Sequence, residues 1–167
     1  MVKVFTTYIQ TQKLFKSKDN LLVAVSGGAD SMALCHLLQD AGFTFTVAHC
    51  NFNLRGKEAD GDEKFVADYC KKHKIEYFTK KFNTAHYAEN MGISIQMAAR
   101  ELRYNWFTEL MSGHHFDYLL TSHHANDNIE TFFINLLRGS GINGLKAILP
   151  KKDKIVRPLL FATRTEI

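Results

Sequence analysis

The loop Ser-Gly-Gly-Ala-Asp-Ser at residues 26–31 lies directly between a short apolar run and a helix-like segment. The run Leu21–Val25 is fully apolar and rich in strand formers, which is typical of a buried strand in a parallel sheet. Residues Ser31–Gln39 then follow a helical pattern that stops before Gly42. A glycine turn between a buried strand and a helix predicts an α/β fold, with this loop at the carboxyl end of the strand.

Strand-like and helix-like segments continue to alternate along the chain. Further strands are predicted at residues 43–49, 75–80, 117–122 and 155–160, and further helices at residues 58–73, 95–111 and 128–138. This alternation predicts an open, mostly parallel five-stranded sheet with helices on both faces, preceded by a helical lead-in at residues 1–20. Residues 163–167 resemble the start of one more helix.

Composition narrows the class of protein. The 167 residues are 46% hydrophobic and 23% charged, as in globular domains. The longest apolar run is far shorter than the roughly 20 residues of a membrane span, so no membrane partner is expected. Three cysteines without a CxxC pair and no visible targeting signal predict a cytoplasmic protein with reduced thiols. A formal net charge of +4 permits a polyanionic partner without requiring one, and homodimer formation stays open.

The loop at residues 26–31 has the chemistry of an anion site. Its glycines allow positive φ and close backbone approach, and the following helix adds free N–H groups and the positive end of its dipole. The Ser hydroxyls can donate to phosphate oxygens, whereas the Asp carboxylate indicates a Mg²⁺ bridge or a structural cap. A plain tight turn with an N-cap is the alternative. The predicted nucleotide-binding residues are Ser26, Gly27, Gly28, Ala29, Asp30 and Ser31.

The string SGGxDS resembles the signature of the PP-loop ATP pyrophosphatases, which cleave ATP to AMP and pyrophosphate. Within that superfamily the chain resembles the tRNA(Ile)-lysidine synthase family in further segments, which follow the family's order. These segments are Ala48–Arg55 (AHCNFNLR), Ala99–Tyr104 (ARELRY), Thr121–Thr131 (TSHHANDNIET), Asn135–Leu145 (NLLRGSGINGL) and Arg157–Leu160 (RPLL). The resemblance implies a Rossmann-like fold of the adenine nucleotide alpha hydrolase type. Residues 21–167 would form the ATP-binding catalytic domain, and the family's C-terminal tRNA-binding domains are expected to be absent.

The resemblance also implies an ATP-dependent tRNA modification in two steps. The C2 oxygen of the wobble cytidine in an isoleucine tRNA with anticodon CAU attacks the ATP α-phosphate and expels pyrophosphate. The ε-amine of free L-lysine then attacks C2, and AMP leaves, which forms lysidine. ATP and Mg²⁺ are the implied cofactors, and the tRNA and L-lysine are the implied partners.

The catalytic assignments carried over from the family are Asp30, which would also hold Mg²⁺, Arg100 and Asp127. Arg100 and Arg103 lie three residues apart on one predicted helix, where two guanidinium groups can clamp phosphate oxygens. A solvated helix face that includes Glu101 is the alternative. Asp127 would attract the lysine ammonium and help it lose a proton, and an N-cap role for the same side chain is a serious alternative.

Residues near the strand ends complete the predicted site. His49 would lie near the adenosine or be a hydrogen-bonded core histidine. Arg138 beside Gly139 could hold RNA backbone or ATP, or simply end a helix. A zinc site is disfavoured, because an adjacent histidine pair plus one aspartate provides no obvious third or fourth ligand. The predicted substrate-binding residues are Asn51, Arg55, Arg103, His123, His124, Asp127 and Arg138.

Two segments depart from the family's pattern. Cys50 and Phe52 stand where HVNHxLR has a valine and a second histidine, so any role of that histidine is lost. Asn126 and Asn128 replace the first aspartate and the glutamine of HHxDDQxET, which leaves the role of Asn126 in doubt. Two rival functions remain. A PP-loop tRNA 2-thiolation enzyme would usually carry CxxC pairs, and a non-catalytic nucleotide-binding module would keep the fold without the chemistry.

Overall fold

The computed structural model describes residues 1–137 and 148–167, in which helices and strands alternate as predicted. The elements are α1 (Val2–Thr11), β1 (Leu21–Ala24), α2 (Ala29–Asp40), β2 (Thr46–Asn51), α3 (Lys57–His73), β3 (Tyr77–Lys81), α4 (Thr84–Met91), α5 (Ile95–Gly113), β4 (Tyr118–Leu120), α6 (Ala125–Leu137), β5 (Lys151–Lys152) and β6 (Ile155–Val156). The helix α1 lies within the lead-in predicted at residues 1–20, whereas α4 was not predicted. No helix in the described ranges is long and apolar enough to cross a membrane.

The described strands form one sheet in the order β3-β2-β1-β4-β6-β5. Its pairs are parallel except for β5, which runs antiparallel to β6. The predicted count of five strands was therefore wrong, since the sheet has six. The strand predicted at residues 155–160 ends at Val156, because Pro158 has no N–H to donate to a neighbouring strand. Lys151–Lys152 folds back on it as the extra strand.

β1 is buried on both faces, as its apolar sequence predicts. Leu21 and Val23 pack in a core with residues of α1, α2 and α3. Leu22 enters a second core on the opposite face, which includes Trp106 and Phe107 of α5. Helices thus cover both faces of the sheet. Burial of one such side chain stabilises the fold by about 1.5–3 kcal/mol, so β1 is held firmly in the centre of the sheet.

The chain crosses to the other side of β1 after β3. β2 and β3 lie on one side of β1, and β4 and β6 lie on the other. In open parallel sheets, such a switch point leaves a crevice at the carboxyl ends of the strands, where ligands bind. The loop that follows β1 lies at this crevice.

Two surface segments complete the fold. Residues 163–167 form a turn in which Glu166 N donates to Thr163 O, and the helix start suggested there stays a prediction. The helix α6 buries none of its described residues. Its exposed apolar side chains are Ile129, Phe132, Phe133, Ile134, Leu136 and Leu137.

Candidate functional site

The loop after β1 is shaped by the hydroxyl groups of its own serines. Ser31 Oγ donates to Gly28 O at 2.8 Å and accepts from Ser26 N at 3.2 Å. Ser26 Oγ accepts from Gly28 N at 3.2 Å. Gly27 has a φ of 91°, which residues with a side chain rarely adopt. Because Ser31 is buried and its hydroxyl proton is used within the loop, the geometry supports a shaping role for this residue. Its contact with a phosphate stays a prediction.

Three backbone N–H groups of this loop have no acceptor in the described part of the chain. They belong to Gly27, Ala29 and Asp30. Ala29 and Asp30 are the first residues of α2, so the positive end of the helix dipole adds to their N–H groups. Since Ser26 and Asp30 line a cavity, unsatisfied donors lie next to open space. This is the arrangement that binds an anion.

The cavity, of about 300 Å³, opens at the carboxyl ends of β1, β2 and β4. Its polar lining residues are Ser26, Asp30, Arg103, Tyr104, Thr121, Ser122, His123 and Asp127. Its apolar lining residues are Ala24, Val25, Ala48, Cys50, Phe52 and Phe107. The cavity therefore unites four of the segments that the sequence analysis singled out. It lies at the switch point, where a ligand site is expected.

The carboxylate of Asp30 faces the side chains of His124 and Arg164. Its Oδ2 lies 3.6 Å from His124 Nε2, and its Oδ1 lies 3.6 Å from Arg164 Nε. Both distances exceed hydrogen-bond length, so the oxygens keep lone pairs for another ligand. Asn126 Oδ1 accepts from Arg164 N at 2.9 Å and so holds the segment that carries Arg164. This contact gives Asn126 a structural role, and it adds Arg164, which the sequence did not indicate, to the site.

Asp127 both caps α6 and lines the cavity. Its Oδ2 accepts from His124 N at 2.8 Å, as the third residue of a helix does in a capping box. Asp127 therefore caps α6 from its third position, whereas the N-cap position, for which the sequence offered Asp127, is occupied by His124. The same carboxylate lines the cavity, so capping leaves room for a role towards a ligand. His124 is buried, and its Nδ1, 3.5 Å from Asp127 Oδ2, has no hydrogen-bond partner among the described residues.

His123 lies in a strongly cationic environment. Burial lowers the pKa of His123, and the charges of Arg157, Arg100 and Arg103 lower it further. The carboxylate of Asp127 has the opposite effect on this pKa but does not reverse it. His123 is therefore neutral at pH 7, because its ordinary pKa is already about 6.5. Arg157 lies in the RPLL segment, yet the sequence alone assigned it no role.

Arg100 and Arg103 both lie against aromatic rings. The guanidinium of Arg100 is 5.0 Å from the ring centre of Tyr104, and that of Arg103 is 5.1 Å from the ring centre of Phe52. Phe52, which replaces the family's histidine, thus supports a cation instead of titrating. Arg103 lines the cavity. Glu101 accepts from the hydroxyl of Tyr87 and forms no ion pair with these arginines within the described ranges.

Arg55 lines a second cavity beside the loop, together with Ser26. It pairs with Glu58 at 2.6 Å and reaches Asp62 at 3.6 Å. The Cβ of Asp62 would be 3.4 Å from a Cβ placed on Gly27. Arg55 therefore approaches the loop through Asp62, an acidic residue that the sequence analysis did not identify. Arg138 lies outside the described residues.

His49 is a hydrogen-bonded core histidine, and its position near the adenosine stays a prediction. It is buried, and its Nδ1 donates to Val25 O at 2.9 Å. Its Nε2 is also buried and finds no partner within residues 1–137 and 148–167. His49 lines a smaller cavity of about 200 Å³ beside the loop, together with Ser26 and Arg55. A buried acceptor with no partner next to a cavity leaves a position for a ligand donor.

Asn51 has a structural role at the end of β2. It is buried, donates to Asp60 at 3.0 Å and to Glu63 at 2.7 Å, and accepts from Asn53 N at 2.9 Å. Its side chain thus ties β2 to α3, and the geometry supports positioning of the Asn53–Arg55 loop. The substrate contact predicted for Asn51 stays a prediction.

We expect Asn51→Ala to lower the free energy of unfolding at pH 7 by about 2–3 kcal/mol, because buried hydrogen bonds to carboxylates are lost. Urea denaturation measures this change. Thr79→Ala, which removes an exposed hydrogen bond to Glu63, is the control and should cost less than about 1 kcal/mol. Equal losses in the two variants would contradict the role assigned to Asn51.

The fold and the site together define an α/β domain whose glycine loop offers free N–H groups at the switch point of the sheet. The chain belongs to the PP-loop family, a family of ATP-binding domains, since the model of the PP-loop domain matches residues 3–167.

The curated relatives are similar over nearly the whole chain. The tRNA(Ile)-lysidine synthase of Bacteroides thetaiotaomicron is 49% identical over 160 residues, which cover 96% of this chain and 38% of that protein. The tRNA(Ile)-lysidine synthase of Porphyromonas gingivalis (strain W83) is 50% identical over 163 residues, which cover 96% of this chain and 36% of that protein. The chain therefore spans less than two fifths of the length of these relatives.

Solved structures share the fold at low sequence identity. A U34-tRNA thiolase from Methanococcus maripaludis with its [4Fe-4S] cluster has a TM-score of 0.72 and 17% identity, and covers 95% of this chain and 59% of its own. The NH3-dependent NAD synthetase from Campylobacter jejuni has a TM-score of 0.64 and 13% identity. The match covers 98% of this chain and 67% of the synthetase chain. These neighbours support the mostly parallel α/β fold.

Proposed function

We propose that this chain is the ATP-dependent catalytic domain of a tRNA(Ile)-lysidine synthase. It would adenylate the C2 oxygen of the wobble cytidine in an isoleucine tRNA with anticodon CAU, and then join free L-lysine to that carbon. The observation that carries the proposal is the cavity between the glycine loop and Asp127. The glycine loop offers donors for a triphosphate, and Asp127 offers a carboxylate for an amine.

The N–H groups of Gly27, Ala29 and Asp30 would hold the phosphates that leave as pyrophosphate. A fixed donor directed at developing charge contributes about 3–4 kcal/mol to transition-state stabilisation when water is excluded. Arg103, held against Phe52, would add positive charge on the same cavity. Loss of pyrophosphate would thus be favoured by groups that are already in place.

Asp30 would hold Mg²⁺ together with the nucleotide. Its oxygens make no close hydrogen bond to His124 or Arg164, and they are hard ligands of the kind that Mg²⁺ prefers. The described residues contain no group of three or more His, Cys, Asp or Glu side chains that could hold a metal alone. Mg²⁺ usually binds through one or two carboxylates plus substrate phosphates, so a single carboxylate fits. The ion would neutralise phosphate charge.

Asp127 would act on the amine in the second step. Its carboxylate attracts the lysine ammonium, and it can accept a proton as the amine attacks C2. The neutral state of His123 on the same wall avoids adding another positive charge beside the ammonium. Lysine would thus meet a negative group in the same cavity as the phosphates.

The thiolation alternative is less well supported by the cysteines of this chain. Cys50 lines the cavity, but burial raises the pKa of its thiol to about 12. The thiol is therefore protonated at neutral pH and is a poor nucleophile or sulfur carrier. The structural likeness to a tRNA thiolase, at 17% identity, concerns the fold.

We expect AMP to form from [α-³²P]ATP only when L-lysine and the CAU-anticodon tRNA are both present. Without lysine, the reaction should stop at the adenylated tRNA, because no amine displaces AMP. Thin-layer chromatography of the labelled products separates these cases. Turnover to AMP with a sulfide donor and no lysine would instead assign the chain to thiolation.

A further inference from the structure

A cavity of about 530 Å³ lies at the edge of the sheet opposite to the glycine loop. Its lining includes Phe43, which precedes β2, Tyr118, which begins β4, and residues of the segment before β1. Because β1, β2 and β4 are parallel, the cavity lies at their amino ends, and we call it the amino-edge cavity.

The amino-edge cavity is separate from the candidate active site. The helix α2, with 12 residues, begins at the glycine loop and ends beside Ala41, which lines the amino-edge cavity. A helix of this length spans about 18 Å. Within the described part of the chain, no residue lines both this cavity and either cavity beside the glycine loop. A ligand held here would therefore leave the glycine loop accessible.

Aromatic rings form the apolar wall of the amino-edge cavity. The rings of Phe15 and Phe43 pack edge to face, with their centres 5.1 Å apart and their planes at 76°. Phe15 is buried, whereas Phe43 and Tyr118 are half-buried. Lys151 fixes the third ring, since its Nζ lies 4.0 Å from the ring centre of Tyr118 and donates to Leu14 O at 2.9 Å. A planar ligand can pack against such rings with little ordering of the protein.

The charged residues of the lining favour an anion. Lys13 and Lys16 line the cavity and are exposed, and neither ammonium group has an acceptor within residues 1–137 and 148–167. The one acidic residue of the described lining is Asp19, whose Oδ2 already accepts from Lys16 N at 2.7 Å. Lys151 adds a third positive charge beside Tyr118. An oxyanion would thus meet an excess of cationic donors.

We propose that the amino-edge cavity is a small-molecule site, which binds a planar aromatic ring that carries an oxyanion. The ring packs against Phe15 and Phe43, and the oxyanion accepts from Lys13 and Lys16. The volume lies in the range of roughly 300–1,000 Å³ that is usual for ligand pockets. Aromatic carboxylates and nucleoside monophosphates share this chemistry. The proposal does not depend on the proposed function, because it uses no residue of the candidate active site.

The first test compares indole-3-acetate with indole-3-acetamide, a neutral analogue of similar size. In an NMR titration, the amide signals of Phe15, Ser17 and Phe43 should shift saturably, with affinity about fivefold higher for the anion, as expected of an exposed ion pair. Lys16→Gln keeps the backbone hydrogen bond to Asp19 and should lower this affinity about threefold. Lys18→Gln, which removes an equal charge from an exposed residue outside the lining, should match the parent protein. Equal affinity for the neutral analogue, or equal losses in both variants, would overturn the anion site.

The second test identifies the class of oxyanion with 5′-AMP, and adenosine is its neutral control. Saturable shifts of the same three amides with 5′-AMP but not with indole-3-acetate assign the site to nucleotides, and the reverse result assigns it to aromatic carboxylates. Shifts confined to residues 27–31 place 5′-AMP at the glycine loop and exclude it from the amino-edge cavity. If neither anion shifts the three amides saturably, the site does not exist. Failure of MgATP to shift residues 27–31 would refute the proposed function and leave this result unchanged.

Discussion

Gly27→Ala is expected to weaken ATP binding by about 100-fold. At the Gly27 φ of 91°, a side chain imposes strain of about 1–2 kcal/mol. The new Cβ would also touch the side chain of Asp62 at 3.4 Å. The loop would relax by turning its peptide units, and at least one donor for the phosphates would be lost. Loss of one such donor corresponds to about 3 kcal/mol, which isothermal titration calorimetry with MgATP would detect.

Gly42→Ala is the matched control for this prediction. Gly42 follows α2 with a φ of 76°, and no atom lies within 4 Å of a Cβ added there. The control should therefore suffer a similar backbone strain, of about 1 kcal/mol in the free energy of unfolding, while it retains ATP affinity. Thermal unfolding of both variants measures the backbone strain, so that its effect can be told apart from the loss of ATP affinity. Equal ATP affinity in the two variants would show that the loop does not hold the phosphates.

Asp127→Asn should reduce lysine-dependent AMP release at least 100-fold while it leaves the fold intact. In the parent protein, His124 N donates to the Asp127 carboxylate at 2.8 Å. The amide oxygen of the variant can still accept this hydrogen bond, but the negative charge that attracts the ammonium is lost. Proton transfer by a positioned side chain contributes about 10²–10⁴-fold to rate, so the loss of activity should be large. The loss of stability should stay within about 1 kcal/mol, the usual size of a charge effect at a helix N-terminus.

Asp127→Ala separates the capping role from the chemical role. This variant loses both the charge and the acceptor, so it should show the same loss of activity and a further loss of about 1 kcal/mol in stability. Single-turnover assays with adenylated tRNA measure the second step, and circular dichroism measures unfolding. Full activity in Asp127→Asn would mean that the carboxylate only caps the helix.

The central part of the fold and the site could be predicted from local sequence. The apolar run of β1, the glycine loop and the start of α2 are adjacent in the chain, so their relation depends on short-range rules for turns and caps. β2, which carries His49, and β4, which His123 follows, were predicted as strands for the same reason. Parallel order then follows from the alternation of helices and strands.

The contacts that were missed join residues that are distant in sequence. Asp62 approaches Gly27, and Arg164 approaches Asp30, but no periodic pattern connects these positions. The two-residue strands β5 and β6 are too short to show an alternating pattern, so the sixth strand was not predicted. Similarly, the lowered pKa of His123 depends partly on Arg157, whose position after β6 follows from strand pairing.

The serine hydroxyls that shape the glycine loop also affect the thermodynamics of ligand capture. Ser26 and Ser31 already form hydrogen bonds inside the turn. The loop is therefore preorganised for the nucleotide. Little conformational entropy then has to be lost by the protein on association, so more of the intrinsic interaction appears as affinity.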